Sequence, residues 1–440
     1  MELSRQDFVE GLHSECLEEA SFLYQQRASL RAEGRLARRE LGRLERRMDA
    51  FLDAAFLGFD ATAALCARRI PEGDPGDWYV AARLLARLGQ SDRLAELLRQ
   101  VDVGNKEQLT AVREGLCHQV PSSTFPQPAH LPAETHPQAI ALLVAALGHG
   151  RRKADWVQSW TEQMLRSDER VCVATAASYL GRVETPGAVE LLRCALDSQA
   201  PAVKVSAAYA LLRLGDPEVA SSLLAPRRFP AWACPLVGVG GGHNALGRLV
   251  SLVENGEGRK DGILALGVLG APSAVPVLIA QLTGTAHAEE AARALHLLTG
   301  AGLREEIAER ETLDEAESFS DEHDTREETI YVWRLSQQAT HWSNWWKEHR
   351  ARFDSSPRWR MGKPFSPAVL LESLSADVGD RISQQIACDE LAIRYGIDCH
   401  FEPDGLQSGQ TQALRNGYSW LAANEQRFTH GRWYLATRPL

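Results

Sequence analysis

The residues best equipped for chemistry in this chain are carboxylates, and they are concentrated in one place. The stretch EEIAERETLDEAESFSDEHDTREE, Glu305 to Glu328, holds twelve Asp or Glu against Arg310 and Arg326. Its balance of −10 equals the formal net charge of the whole 440-residue chain, so the remainder is neutral. Within it, DEHD at Asp321 to Asp324 has metal-ligand residue types. Four adjacent residues cannot converge on one ion without a fixed turn, and the pattern supplies no distant ligands, so no metal is expected. Two accounts of the block remain: a solvated insertion that aids solubility, or a row of carboxylates that meets a basic partner. On the second account Glu311, Asp314, Glu315, Glu317, Asp321, Glu322 and Asp324 are the partner-binding candidates.

Other chemistry finds less support in the sequence. GVGGGHNALG, Gly238 to Gly247, is glycine-rich, but it lacks the Gly-Lys-Ser/Thr ending of a phosphate loop and has His243 where a dinucleotide fingerprint needs glycine. A loop that breaks or re-aims a helical array is expected there. There is no Gly-x-Ser-x-Gly and no His-Glu-x-x-His, the thirteen histidines are dispersed, and no catalytic residue or cofactor is assigned. The eight cysteines form no Cys-x-x-Cys pair and read as reduced core residues. Trp342, Trp345 and Trp346 have helical spacing; they serve either as core of a C-terminal cap or, for Trp342 and Trp345, as anchors at a partner interface. The arginines of RAEGRLARRELGRLERR (Arg31, Arg35, Arg38, Arg39, Arg43, Arg46 and Arg47) are interleaved with Glu33, Glu40 and Glu45, which predicts a solvated helix face more than a nucleic-acid patch.

The elements that must position these residues follow from a repeat. Leu-Gly recurs at Leu88-Gly89, Leu147-Gly148, Leu180-Gly181, Leu214-Gly215 and Leu269-Gly270, with an imperfect copy ending near Gly300. Apolar residues fall one, four, five and eight places before each glycine, which is one face of an α-helix, and the glycine suits the left-handed residue that ends it. Second helices are expected after Thr185-Pro186, Asp216-Pro217 and, more weakly, Ala271-Pro272. A helix pair of roughly 30 residues cannot bury its own apolar face, so stacked neighbours must form the core. The fold expected is all-α: an α-solenoid of helix pairs, with an N-terminal helical cap over 1–75, repeats over 76–304, an acidic linker or loop over 305–328 and a Trp-rich helical region over 329–440. In the cap, Leu44, Met48, Phe51, Leu52 and Phe56 share one side of a helix.

These helix pairs resemble HEAT-like repeats in the short bacterial form also seen in bilin-lyase-type proteins. Along the chain, Glu18 to Leu23 (EEASFL), Leu44 to Ala50 (LERRMDA), the Leu-Gly repeats, Trp345-Trp346, His349 to Phe353 (HRARF) and Gly362-Lys363-Pro364 occur in an order similar to that of an uncharacterised proteobacterial HEAT-repeat family found beside type VI secretion effector genes. The resemblance implies a protein tied to a secreted antibacterial toxin, often a nuclease, as its immunity protein or as the adaptor that loads it. The partner implied is the cognate effector toxin, basic and nuclease-like, with no direct contact to nucleic acid. A lyase-like enzyme or small-ligand binder on the same scaffold is the alternative from a different class. No run of 18 or more apolar residues occurs, and the N-terminus MELSRQDFVEGLHSECLEEA is too acidic and interrupted for a signal peptide, so a cytoplasmic location without membrane contact is expected.

Overall fold

The computed structural model describes residues 5–33, 37–119, 131, 134–225, 229–284, 286–313, 326–376 and 380–440. In chain order the helices begin with α1 (Arg5–Glu33), α2 (Arg38–Phe56), α3 (Phe59–Arg69), α4 (Pro75–Leu88), α5 (Ser91–Gln100), α6 (Lys106–His118) and α7 (Pro137–His149). Then come α8 (Val157–Leu165), α9 (Arg170–Arg182), α10 (Ala188–Leu196), α11 (Pro201–Arg213), α12 (Pro217–Leu223), α13 (Cys234–Gly240) and α14 (Leu246–Glu254). The last are α15 (Arg259–Leu269), α16 (Val275–Gln281), α17 (Ala288–Thr299), α18 (Ala339–His349), α19 (Pro367–Ser375), α20 (Arg381–Tyr395) and α21 (Gln407–Asn424). Strands among the described residues form three antiparallel pairs: β1 (Arg304–Leu313) with β2 (Arg326–Leu335), β3 (Trp359–Arg360) with β4 (Lys363–Pro364), and β5 (Tyr434–Leu435) with β6 (Arg438–Pro439). The protein thus has the all-α helical-repeat fold. Among the described residues no single helix is long and apolar enough to cross a membrane.

Two compact units divide the chain: Met1–Ala220 with Leu370–Glu425, and Ser221–Val369 with Gln426–Leu440. In the first unit α4, α6, α7, α9 and α11 stack in succession, with α8 and α10 packed on α9 and α11. The residues placed on the inner face by the Leu-Gly pattern are buried: Leu84 and Leu85, Leu143 and Val144, Ala176 and Ala177, Ala210 and Leu211. Helix starts follow local chemistry. Asp216 caps α12 by accepting from the N–H groups of Glu218 at 2.9 Å and Val219 at 3.0 Å, as expected for Asp216-Pro217. Thr185-Pro186 does not open a helix directly; α10 begins at Ala188, behind Gly187 in the left-handed region. The N-terminal cap buries Leu44, Met48 and Leu52, and Tyr24 of α1 stacks on Tyr79 of α4 at 3.9 Å.

The repeat glycines serve two ends rather than one. Gly89, Gly215, Gly270 and Gly300 have φ between 63° and 74° and terminate their helices, as expected. Gly148 and Gly181 are still helical. A Cβ on Gly181 would lie 2.8 Å from the Cα of Ala210, and one on Gly148 would lie 3.4 Å from the Cα of Tyr179. Here the glycine lets successive inner helices touch backbone to backbone.

The second unit repeats the device with α13, α15 and α17, where Gly238 faces Ala265 and Gly267 faces Ala294 at 2.9 and 2.6 Å from the would-be Cβ. GVGGGHNALG is therefore only partly the loop expected: Gly238 and Gly240 end α13, and residues 241–245 link it to α14. Gly241 is confined to glycine by its own helix end, since a Cβ there would meet the Val237 carbonyl oxygen at 2.5 Å. Carbonyls left over at the end of α15 are taken by Arg358, whose Nε donates to Leu269 at 3.1 Å, by Arg360, which donates to Val268 at 2.9 Å, and by the Trp433 indole, which donates to Leu269 at 3.1 Å.

Residues 305–328, expected as a linker or loop, are paired backbone on both flanks. The register runs from Arg304 opposite Leu335 to Leu313 opposite Arg326. Thr-Ile-Tyr-Val-Trp at 329–333 is a run of β-branched and aromatic residues, which favours a strand over the helical region assigned to it.

Candidate functional site

The first unit carries a row of arginines on successive inner helices. Arg151 lies two residues past the end of α7, Arg182 ends α9 and Arg213 ends α11, at a constant spacing of 31 residues. A cation at a helix C-terminus is favoured by the helix dipole, so each repeat can present one at little cost. What they hold is a strap from the same unit, Ile397 to Gly405, between α20 and α21.

The strap alternates. Ile397, Cys399 and Phe401 are buried, while Asp398 and Glu402 meet the arginines. Asp398 accepts from Arg151 at 2.8 Å and from Arg213 at 2.8 Å; Glu402 accepts from Arg151 at 2.5 Å and Arg182 at 2.6 Å. Asp404 gathers Arg31 at 2.6 Å, Arg381 at 2.6 and 2.7 Å, and Arg113 at 3.4 Å. Its turn is local: His400, at φ 64°, donates its N–H to Asp398 at 2.9 Å. The backbone of the strap is satisfied as well, with Gln410 donating to the Glu402 carbonyl at 2.9 Å and Arg27 donating to those of Asp404 and Gly405 at 3.1 and 3.2 Å.

Electrostatics match this geometry. Burial opposes ionisation of Asp398, Glu402 and Asp404, yet the adjacent guanidinium groups outweigh it: Asp398 and Glu402 are held below their ordinary values and Asp404 falls to about 2. Asp389 on α20 shows the opposite balance; burial raises it despite Arg213. His118, His149 and His400 line one cavity of about 180 Å³ beside the strap, and burial depresses all three. Burial also pushes the Cys117 thiol up to about 12, which keeps it protonated and unreactive. Among the described residues no His, Cys, Asp or Glu group is arranged to hold a metal ion.

Two adjoining grooves flank the strap, of about 620 and 390 Å³, both lined by Arg113, Val171, Arg381 and Asp404. An arrangement of this kind can bind an extended segment bearing spaced carboxylates, by charge-assisted hydrogen bonds.

The N-terminal arginines are not all the solvated face expected of them. Arg31 belongs to the strap site, Arg38 donates to Leu374, Gln407 and Gln410, and Glu45, 3% exposed, is paired with the fully buried Arg27 at 2.8 Å. Only exposed members such as Arg43, paired with Glu40, fit the solvated reading. In the sequence the strap shows only as the I-D-C-H-F-E alternation and the even spacing of the arginines, signals that do not say which carboxylate meets which guanidinium.

The partner-binding candidates fall in the second unit. Asp314, Glu315, Glu317, Asp321, Glu322 and Asp324 lie outside the described residues, as does the DEHD motif. Glu311 is on β1, its backbone opposite Glu328. Of the two roles expected for Trp342, core of the cap or interface anchor, the structure shows the first: it is 1% exposed and donates its indole N–H to the Ser336 carbonyl at 2.7 Å. Trp345 is half-buried and stacked on His349 at 4.4 Å. In the same unit Tyr331 and Trp333, on alternate positions of β2, are exposed at 66% and 62%.

No family model and no curated protein matches the chain. Among solved structures it is similar to two engineered proteins from the Northeast Structural Genomics Consortium. One is 21% identical, over 53% of this chain and 95% of its own, with a TM-score of 0.19; the other is 17% identical, over 78% and 90%, with a TM-score of 0.23.

Proposed function

We propose that this protein is a cytoplasmic protein-binding scaffold that neutralises a basic, nuclease-like toxin of a type VI secretion system, acting as its immunity protein. The order of sequence motifs supports the setting, by resemblance to the HEAT-repeat family that accompanies such effectors. The observation that supports the mode of action is the β1–β2 hairpin of the second unit. Its paired backbone leads into and out of the acidic segment, with Tyr331 and Trp333 exposed on β2. Carboxylates in series repel one another and draw in cations, so they suit a groove whose own cations are placed for phosphate. Large exposed aromatic side chains beside them supply the apolar anchor that a charged surface lacks. Inhibition is occlusion: the toxin's substrate groove is filled, and no bond is made or broken.

The test is co-expression and binding with the effector toxin encoded beside this chain's gene. Cells producing active toxin survive only with the unaltered protein. Replacing Asp314, Glu315, Glu317, Asp321, Glu322 and Asp324 with Ser, or Trp333 with Ser, weakens binding while helical circular dichroism is unchanged, and added salt weakens the unaltered pair in the same direction. Survival without this protein, coupled to failure of secretion, would instead assign it to effector loading.

A further inference from the structure

The strap is held in the first unit as a guest peptide would be. Its carboxylates are gripped by Arg31, Arg113, Arg151, Arg182 and Arg213, which are far from it in sequence, and by Arg381 of the adjacent α20; Arg151, Arg182 and Arg213 among them stand at repeat spacing. Along most of its length the charges balance: Asp398 and Glu402 share Arg151, Arg182 and Arg213, and Arg213 also reaches Asp389 at 3.3 Å. At Asp404 they do not. Three guanidinium groups converge on this one carboxylate, and the other anion lining the 620 Å³ groove, Glu114, is shared between Arg31 at 3.5 Å and the fully buried Arg27 at 3.2 Å, which Glu45 also holds; four arginines thus face three carboxylates. Arg381 takes both oxygens of Asp404, which leaves Arg113 the long 3.4 Å contact on a side chain 44% exposed.

Beyond Arg113 the groove is apolar and open. Ala145 and Val171 line it beside the buried Ala141 and Leu142, and Val171, 57% exposed, leaves apolar surface that a guest side chain can cover. A cation in excess beside a bare aliphatic wall is complementary to a segment that alternates carboxylates with aliphatic side chains, and the strap, with Asp398, Cys399, Phe401 and Glu402, is built on that pattern.

We propose that this groove is a second binding surface, for an extended acidic peptide segment of a partner protein, with a guest carboxylate on Arg113 and Arg381 and an aliphatic side chain over Val171. The strap is then a resident guest that occupies part of an arginine row whose remaining place is open. The surface is independent of the acidic hairpin considered above, and it selects the opposite charge.

Fluorescence polarisation tests it on the full-length protein, with a short fluorescein-labelled peptide of alternating glutamate and leucine, the same peptide with lysine for glutamate, and a labelled oligo(dT). The glutamate peptide binds saturably at low salt. Arg113→Gln weakens it about tenfold, the effect of one lost charge-assisted hydrogen bond. Val171→Glu, at a helix position 57% exposed, abolishes binding without lowering the thermal midpoint. Arg43→Gln, at a residue that lines neither groove and is paired with Glu40, changes nothing. Absence of saturation, equal affinity for the lysine peptide, indifference to both groove variants, or an oligo(dT) signal with the same arginine dependence in place of the peptide signal would each overturn the proposal.

Discussion

Glu402→Gln is the sharpest probe of how the strap is held. The carboxylate is 14% exposed and accepts from Arg151 at 2.5 Å and Arg182 at 2.6 Å. Arg151 keeps Asp398 after the change, but Arg182, 17% exposed, loses the carboxylate it hydrogen-bonds. Removing one partner of a buried ion pair costs about 3–5 kcal/mol. Glutamine retains an acceptor oxygen, which recovers about 1–2 kcal/mol of that, so the expected loss is about 1–4 kcal/mol. At about 2–4 °C per kcal/mol for a large unit, the thermal midpoint should fall by about 2–16 °C. Urea unfolding followed by circular dichroism gives the free energy directly, and an unchanged m-value confirms that the same surface is exposed. The double variant Arg182→Met, Glu402→Gln should recover part of the loss, with a coupling of about 1–3 kcal/mol. A single-variant loss under about 0.5 kcal/mol, the range of ordinary surface substitutions, would refute the reasoning. So would strict additivity in the double variant.

Two further outcomes follow from the packing and the titrations. Gly181→Ala and Gly267→Ala push a methyl group into the backbone of Ala210 and Ala294, and each should cost about 1–3 kcal/mol; Gly247→Ala, where nothing lies within 4 Å, should be neutral or stabilise by up to about 1 kcal/mol. The reverse order in thermal unfolding would mean the inner helices do not touch as described. Stability should also decline with acidity in two stages. His118, His149 and His400 are depressed by burial, so the folded state binds fewer protons than the unfolded chain below 6.5, and their contribution, whole above that value, is lost as pH falls. The strap carboxylates follow: their contribution is present above the ordinary values of 3.8 and 4.5 and is lost below them, down to about 2 for Asp404. A thermal midpoint that stays flat between neutral pH and pH 5 would remove the histidine stage.

The helical repeat was legible because it is written in short-range spacing. Apolar residues one, four, five and eight places before a glycine define a buried face, whatever else the chain contains, and Leu84, Leu143, Ala176 and Leu211 are buried accordingly. Even the misread points are local competitions. Gly148 and Gly181 carry the signature of a helix end, but close approach of the next helix required glycine for a different reason. Thr329 to Trp333 has strand-forming residues that a helix-dominated context concealed.

The arginine row was of another kind. Arg31 and Asp404 are 373 residues apart in the chain, and Arg151 and Glu402 are 251 apart. With 48 basic and 58 acidic side chains in the sequence, composition places no limit on which of them meet. Hydrophobic periodicity tells each helix which side to bury, and that is a property of neighbours along the chain. Which carboxylate lies within 3 Å of which guanidinium depends on how α20, α21 and the strap between them fold back over helices laid down hundreds of residues earlier. The even spacing of Arg151, Arg182 and Arg213 is written along the sequence, but ion pairing acts over a few ångströms of space, so the packed first unit alone selects Asp398, Glu402 and Asp404 from among equals.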